Sequence, residues 1–385
     1  MAFHAGVGHA QDIDGRQAGL QATHMALNRL GRLSPSLGFV VASHLYQAQE
    51  VANGLSGLLG DVPVVGFSTP AALTNEGLYP HSVGVGIISA DGVESRPHWI
   101  SGYAQSSREA AGELTRALTE HNAETALFFS DGFNGDAEQF CEALTREKIQ
   151  IAGGLSSGDL HTGNTSQMAG LQTGTGGLAV LTIKGKLRIG IGAAHGWDPV
   201  GTLLRVTRSR GFWVRTLNSK PASETYAELF DYPAREWGFP PLSHLARLYP
   251  LGIEQGEEIT VRAPIRVEAD GSFRMNAPVR EGSDAFVLVG NRFRCQKAAE
   301  EAAQQALRDM NGAKPAFALV LVDVAWQMLL KADPGIEVSA VQNIIGEDVP
   351  ILGGYTLGQV TPPKEEGRPQ FLNQHIVVIV FGEEE

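Results

Sequence analysis

Pro350-Ile351-Leu352-Gly353-Gly354-Tyr355-Thr356-Leu357-Gly358-Gln359 is an apolar run that breaks into glycines and hydroxyls, and two earlier stretches read the same way. They are Val64-Val65-Gly66-Phe67-Ser68-Thr69 and Gly153-Gly154-Leu155-Ser156-Ser157-Gly158-Asp159. Ahead of each lies a short β-branched or aromatic run, at residues 39–43, 127–130 and 317–322, with a helix-sized stretch between. Ser43 to Gly66 and Ser130 to Gly153 span the same number of residues, while Asp323 to Gly353 carries a small insertion. Recurrence on this scale marks a repeated α/β architecture. Each glycine segment reads as a turn at the end of a second strand.

The recurrence extends on both sides. Upstream of the first strands lie helical stripes: Ala18, Ala22, Met25 and Ala26; Ala110, Ala111, Leu114 and Leu118; Ala299, Ala302, Ala303, Ala306 and Met310. Spacings of three and four put each set on one helical face, and alanine there lets a helix lie close to a sheet. Downstream, residues 83–89, 178–183 and 376–381 read as a third strand in each copy. The expected fold class is α/β, with three recurring helix–strand–helix–strand–glycine turn–strand modules, mixed sheets and a hairpin insert.

A chain of 385 residues exceeds what one hydrophobic core usually serves, so two domains are expected. The boundary falls near residue 200, where the sequence changes character, giving 1–199 with two modules and 200–385 with the insert and the third. Between the second and third modules, residues 187–197 continue a strand and 202–217 form a hairpin whose Arg205, Arg208, Arg210 and Arg215 point to solvent. Residues 221–230 form a short helix, and 231–244 form a loop with Pro233, Trp237, Pro240 and Pro241. Asp270-Gly271 between alternating apolar residues signals a two-residue hairpin.

A net charge of −12 with no block of Lys and Arg excludes the electrostatic footprint of nucleic-acid or anionic-membrane binding. No run of about 18 apolar residues is present, and the N-terminus lacks the basic and hydrophobic regions of a signal peptide, so a cytoplasmic protein is expected. Two cysteines, Cys141 and Cys295, give neither a disulfide framework nor a thiolate metal site. Cys295 at a helix start is either a reactive thiol of lowered pKa or a buried inert one. The 11 histidines show no metal spacing, and nucleophile-elbow and phosphate-loop motifs are missing. No cofactor or metal is expected.

The order and spacing of these segments, with Tyr249-Pro250-Leu251, resemble the FIST family, named for F-box and intracellular signal transduction proteins. The likeness spans nearly the whole chain, the first half resembling the FIST N-terminal domain and the second its C-terminal partner. It implies a non-catalytic sensory module for small ligands such as amino acids, with a separate signalling protein as its partner. Where relatives often carry Cys-Ser after the first glycine, this chain has Phe67-Ser68; where they carry Gly-Glu in the last segment, it has Gly358-Gln359. Asp323-Val324-Ala325-Trp326-Gln327 stands in place of a Cys-x-x-Arg-like segment, and Leu372-Asn373-Gln374-His375 in place of His-Asn-x-Thr.

Glycine at a strand end permits positive φ and close approach of a ligand, and successive amides can converge on a carboxylate. Hydroxyls of Ser68, Thr69, Ser156, Ser157 and Thr356 can add neutral contacts beside Gly66, Gly153, Gly154, Gly353 and Gly354. The richest candidate is the last segment, where Tyr355 can cover an apolar body, with Gln359, Asn373, His375, Asn291 and Arg292 around it. Asp131, Asp159 and Asp323 can meet an amino group, but capping a following helix suits Asp131 and Asp323 equally. The alternatives are tight turns with no ligand, a cofactor-free hydrolase or lyase with Ser156 or Ser157, His161 and Asp159, and a protein-docking platform at residues 237–241.

Overall fold

The computed structural model describes residues 3–144, 149–160, 162–239, 245–255, 258–363 and 367–383. The first module runs β1 (His4–Ala10), α1 (Gly15–Leu30), β2 (Leu37–Ser43), α2 (Ala48–Leu59), β3 (Val64–Thr69) and β4 (Val83–Ser89). The second runs β5 (Val93–Ile100), α3 (Ser107–His121), β6 (Thr125–Asp131), α4 (Ala137–Ala143), β7 (Gln150–Ser156) and β8 (Leu178–Gly185). The third opens with β9 (Leu187–Ala194), is interrupted by an insert containing α5 (Ala222–Phe230), and resumes with α6 (Arg292–Asp309) and β10 (Pro315–Asp323). It closes with α7 (Val324–Leu329), α8 (Ile336–Ile345), β11 (Ile351–Thr361) and β12 (Ile376–Glu383). The mixed α/β character read from the sequence is the observed one.

Each module forms the same sheet, ordered leading, last, first and second strand: β1-β4-β2-β3, β5-β8-β6-β7 and β9-β12-β10-β11. The first and second strands are parallel in all three, and the other pairs are antiparallel. The leading strands β1 and β5 escaped the sequence reading. In β1, Gly6 and Gly8 alternate along one face, and a Cβ at either would lie 2.2 Å from the Ala26 or Ala22 carbonyl of α1. Gly190 and Gly192 do the same in β9 against Ala306 and Ala302. Alanine-striped helices thus rest directly on glycine-striped strands.

The glycine segments are strands, not turns, which corrects the sequence reading. Gly66, Gly153 and Gly353 pair in parallel register with Val40, Phe128 and Val320. None has a left-handed φ. What excludes a side chain is the neighbouring strand: a Cβ would sit 2.6 Å from the Val40 carbonyl oxygen, 2.0 Å from that of Phe128 and 2.4 Å from that of Val320. The register also equates Ser43 with Asp131 and Asp323, each opposite Thr69, Ser156 and Thr356. The match of Ser43 to Ser130 was therefore one residue out of step, enough to exchange the two faces of a strand.

The modules join edge to edge. β11 pairs antiparallel with β7, the strand Gln167–Ala169 pairs with β3, and Ala71–Thr74 pairs with β11. Their inner faces share one core in which Phe67 stacks on Phe129 at 4.4 Å and Phe39 on Phe317 at 5.9 Å, so the first module packs on both others. Helices cover the outer faces.

The insert is a separate sheet, built from the Trp197–Arg210 and Trp213–Leu217 hairpin with Leu251–Gln255, Glu258–Arg262, Pro264–Val267, Phe273–Met275 and Asp284–Gly290. The continuous strand expected over 187–197 breaks at His195-Gly196, where β9 leaves its sheet and Trp197 enters the insert. α5 and the 3-10 turn Ala234–Gly238 close its core, with Trp237 edge-on to Tyr226 at 5.5 Å. Trp237 is buried, so it is not an exposed docking residue. Pro240 and Pro241 lie outside the described residues.

Candidate functional site

The strand ends of the three modules meet in a buried hydrogen-bonded ring. Ser68 Oγ donates to the Ser157 carbonyl at 2.8 Å, and the Ser157 amide donates to the Ser68 carbonyl at 3.0 Å. Ser157 Oγ donates to the Tyr355 carbonyl at 2.5 Å, and the Tyr355 amide donates to Thr69 Oγ1 at 2.8 Å. Gln167 Nε2 donates to Ser156 Oγ, and Gln359 Nε2 donates to Thr356 Oγ1 at 2.7 Å. Every one of these side chains is buried. Hydroxyls read as ligand contacts tie the three modules together, because a buried hydroxyl or amide must find a partner inside the protein.

The same geometry closes the glycines to a ligand. A Cβ on Gly354 would lie 3.1 Å from the Phe67 ring and Thr69 Oγ1, and one on Gly154 would lie 2.9 Å from Thr356. Phe67 fills this space as core. The Tyr355 hydroxyl donates to Glu337 on α8, and both groups are buried. Burial pushes the Glu337 carboxyl above its ordinary range and raises the Tyr355 hydroxyl.

Neither serine is set up as a nucleophile. Ser157 Oγ is directed at a carbonyl, and Ser156 Oγ accepts from an amide. Asp159 is half-buried in a turn closed by the Gly163 amide on its carbonyl at 2.9 Å, and His161 lies outside the described residues. Cys141 and Cys295 are buried; burial raises both thiols, that of Cys295 to about 12, which answers the question of a reactive thiol. Among the described residues no group of three or more His, Cys, Asp or Glu is placed to hold a metal ion.

Asn291 and Arg292 sit on the exposed first turn of α6. Asn291 is the helix N-cap, accepting from the Arg294 amide at 2.9 Å, and Arg292 pairs with Asp333 at 3.2 Å. They serve the helix terminus, not the strand-end ring.

A different polar cluster gathers at the end of β10. The Asp323 carboxylate caps α7 through the Ala325 amide at 2.9 Å and accepts the Gln374 amide at 3.2 Å. Asp131, its counterpart in the second module, likewise accepts the Phe133, Asn134 and Gly176 amides. Asp323 is thus a helix cap, whereas Asp131 holds the bend that follows β6 and α4 is capped by Asp136. Asp323 alone also faces a cation: Arg247, on the 3-10 turn Ala246–Leu248 of the insert, approaches Oδ1 with Nη2 at 3.3 Å.

Trp197 and Trp326 both donate to the Gln374 carbonyl, at 3.0 and 2.9 Å, while Gln374 Nε2 donates to the Arg247 carbonyl. His375 Nδ1 lies 2.7 Å from the Asn373 carbonyl, and its ring meets His195 edge-on at 4.8 Å. Asp323, Asn373 and His375 were thus expected near a site and do meet. Arg247, Gln374, Trp197 and Trp326 were missed. One signal was present, a lone arginine in the otherwise apolar run Leu245-Ala246-Arg247-Leu248-Tyr249-Pro250-Leu251.

Several atoms of this cluster are buried without a partner among the described residues: Arg247 Nε and Nη1, both amide atoms of Asn373, and Gln374 Oε1. Buried polar groups are rarely left so, and although single atoms such as Ser130 Oγ, Gln167 Oε1 and Gln359 Oε1 are also unmet elsewhere, here three neighbouring side chains share the deficit.

The chain is a three-module α/β scaffold with a polar cluster under a sheet insert. Family models match at residues 36–220, the FIST N domain, and at 222–362, the FIST C domain. The chain belongs to the FIST family, whose domains are associated with sensing in signal transduction. A comparison with curated proteins returned no match.

Among solved structures, a chorismatase is 9% identical over 99% of both chains with a TM-score of 0.38. A cyanuric acid hydrolase is 9% identical over 100% of both chains with a TM-score of 0.35. The cyanuric acid hydrolase of A. caulinodans is 11% identical, covering 48% of this chain and 71% of its own, with a TM-score of 0.28. Likenesses this weak assign no activity. No helix among the described residues is long and apolar enough to cross a membrane.

Proposed function

We propose that this protein is a non-catalytic cytoplasmic sensor that binds a small carboxylate-bearing molecule, an amino acid or simple acid, and reports occupancy to a separate signalling protein. The observation that supports it is the buried cluster of Arg247, Asn373 and Gln374, in which Arg247 Nε and Nη1, both Asn373 amide atoms and Gln374 Oε1 are unmet, while the hydroxyls of Ser68, Ser157, Thr69 and Thr356 are engaged. A cation beside neutral amide groups suits a carboxylate with a polar or ammonium neighbour. Catalysis at Ser156 or Ser157 has no comparable support, since neither hydroxyl meets a base among its observed partners. The proposal keeps the division of the chain near residue 200, with Arg247, Asn373 and Gln374 in the second half.

A thermal-shift screen of amino acids and small carboxylates tests it. A ligand well above its dissociation constant stabilises the fold by about 1–3 kcal/mol. Flat melting curves across the panel at millimolar ligand would reject the sensor reading, and turnover of a generic ester or amide panel would favour an enzyme.

A further inference from the structure

Resting on that sensory reading, we propose that Arg247 anchors the ligand carboxylate at the junction of the insert with the end of β10, so that binding is felt by the insert. Two buried arginines hold the insert to the modules, and they differ. Arg262 gives Nη2 to Glu138 of α4 at 2.7 Å and Nη1 to its own Val261 carbonyl at 3.2 Å. Arg247 makes one long contact, 3.3 Å from Nη2 to Asp323, and its Nε and Nη1 find no partner among the described residues. Asp323 does not depend on it, because the Ala325 and Gln374 amides already hold both carboxylate oxygens.

A guanidinium offers a planar fork of donors that matches a carboxylate two at a time. Arg247 has that fork available while nine-tenths or more of its side chain is buried. Beside it, Gln374 Oε1 is an unmet acceptor suited to an ammonium group, and the adjoining Asn373 amide is unmet at both ends. Asp323, Asn373 and Gln374 belong to the third module and Arg247 to the insert. A molecule bound between them touches both bodies. Its entry requires the 3-10 turn Ala246–Leu248 to give way, which makes the insert the element that senses occupancy.

Isothermal titration of the full chain with acetate, glycine, L-alanine, L-glutamate and succinate, each acid paired where possible with its neutral amide, tests this. At least one acid should bind, and its amide should bind about 10- to 100-fold more weakly, the loss of a charge-assisted contact. Arg247→Gln should weaken the acid by a similar factor, Arg247→Lys by less, and exposed Arg292→Gln not at all. Hydrogen exchange over residues 245–255 should slow when that acid is bound.

If no probe binds the wild type, the sensory reading falls and this inference with it. If an acid binds folded Arg247→Gln unchanged, or Arg292→Gln alone loses it, the anchor is refuted while the sensory reading stands. Should Arg247→Gln fail to fold, the acid and amide affinities of the wild type decide: equal values refute a carboxylate on Arg247. Unchanged exchange over 245–255 refutes the insert as the sensing element.

Discussion

Alanine at Gly153 is the most direct test of how the modules are built. Its Cβ would lie 2.0 Å from the Phe128 carbonyl oxygen, whereas real Cβ atoms essentially never approach closer than 3.0 Å. The parallel strands β6 and β7 must then separate by about 1 Å, and the same reasoning requires about 0.6 Å at Gly353 and 0.4 Å at Gly66. The contact in each case is backbone, which cannot swing aside as a side chain does. Overpacking of this kind costs about 1–3 kcal/mol, more where nothing can move, so the expected order of destabilisation is Gly153, then Gly353, then Gly66. The melting temperature should drop about 1 °C for each kcal/mol, since the entropy of unfolding scales with the 385 residues of the chain. Gly57 in α2 and Gly112 in α3 are controls: a Cβ meets nothing within 4 Å at either, and alanine there should stabilise by about 0.5–1 kcal/mol. Calorimetry of the five alanine variants reads the order. A Gly153→Ala protein melting at or above the wild-type temperature would refute the claim that strand contact, not turn conformation, demands glycine here.

Three further outcomes follow from buried groups. Glu337, with its carboxyl raised above the ordinary 4.5, keeps a proton that the unfolded chain releases, so its share of stability is present below pH 4.5 and lost as pH rises toward the folded value; urea midpoints should show Glu337→Gln gaining on the wild type from pH 4.5 upward, and parallel curves would contradict the raised carboxyl. Trp237→Ala removes a buried ring from the insert core and should cost about 3–5 kcal/mol by urea unfolding, while a change under 1 kcal/mol would mean the ring is not packed as described. Glu138→Gln leaves the Arg262 guanidinium buried without its anion; since Glu138 is 34% exposed, the expected loss is about 1–3 kcal/mol, and no loss in denaturant titration would show the pair to be dispensable.

The modules were legible because periodicity survives burial on one face. Alanine stripes at 18, 22 and 26 and at 299, 302, 303 and 306 mark helices that must sit close to a sheet, and the β-branched runs at 39–43 and 317–322 mark strands covered on both sides. Leading strands were harder. His4–Ala10 alternates glycine with valine and histidine, a pattern whose meaning lies in the helix laid across it, and Val93–Ile100 is polar at every second residue because it is an edge. Glycine was read as a turn residue because turns are its commonest conformational use. The competing cause, a second backbone within 2–3 Å, depends on which strand is adjacent, and adjacency is not written in local sequence.

That ambiguity also explains why the expected binding residues divided as they did. Hydroxyls near a glycine look the same whether they serve a ligand or a neighbouring strand, and here three modules converge, so Ser68, Ser157, Thr69 and Thr356 are spent on closure. Threefold repetition makes the point sharper. Positions equivalent in the three modules hold Ser43, Asp131 and Asp323, and all three lie where a strand hands over to the next segment. A function shared by all of them can be structural alone. What singles out the third is an arginine delivered from outside the repeat, by an insert lodged between β9 and α6, against a carboxylate that its own module has already satisfied. Asymmetry in an otherwise repeated scaffold needs its own cause, and at Arg247 the unmet donors supply one that packing does not.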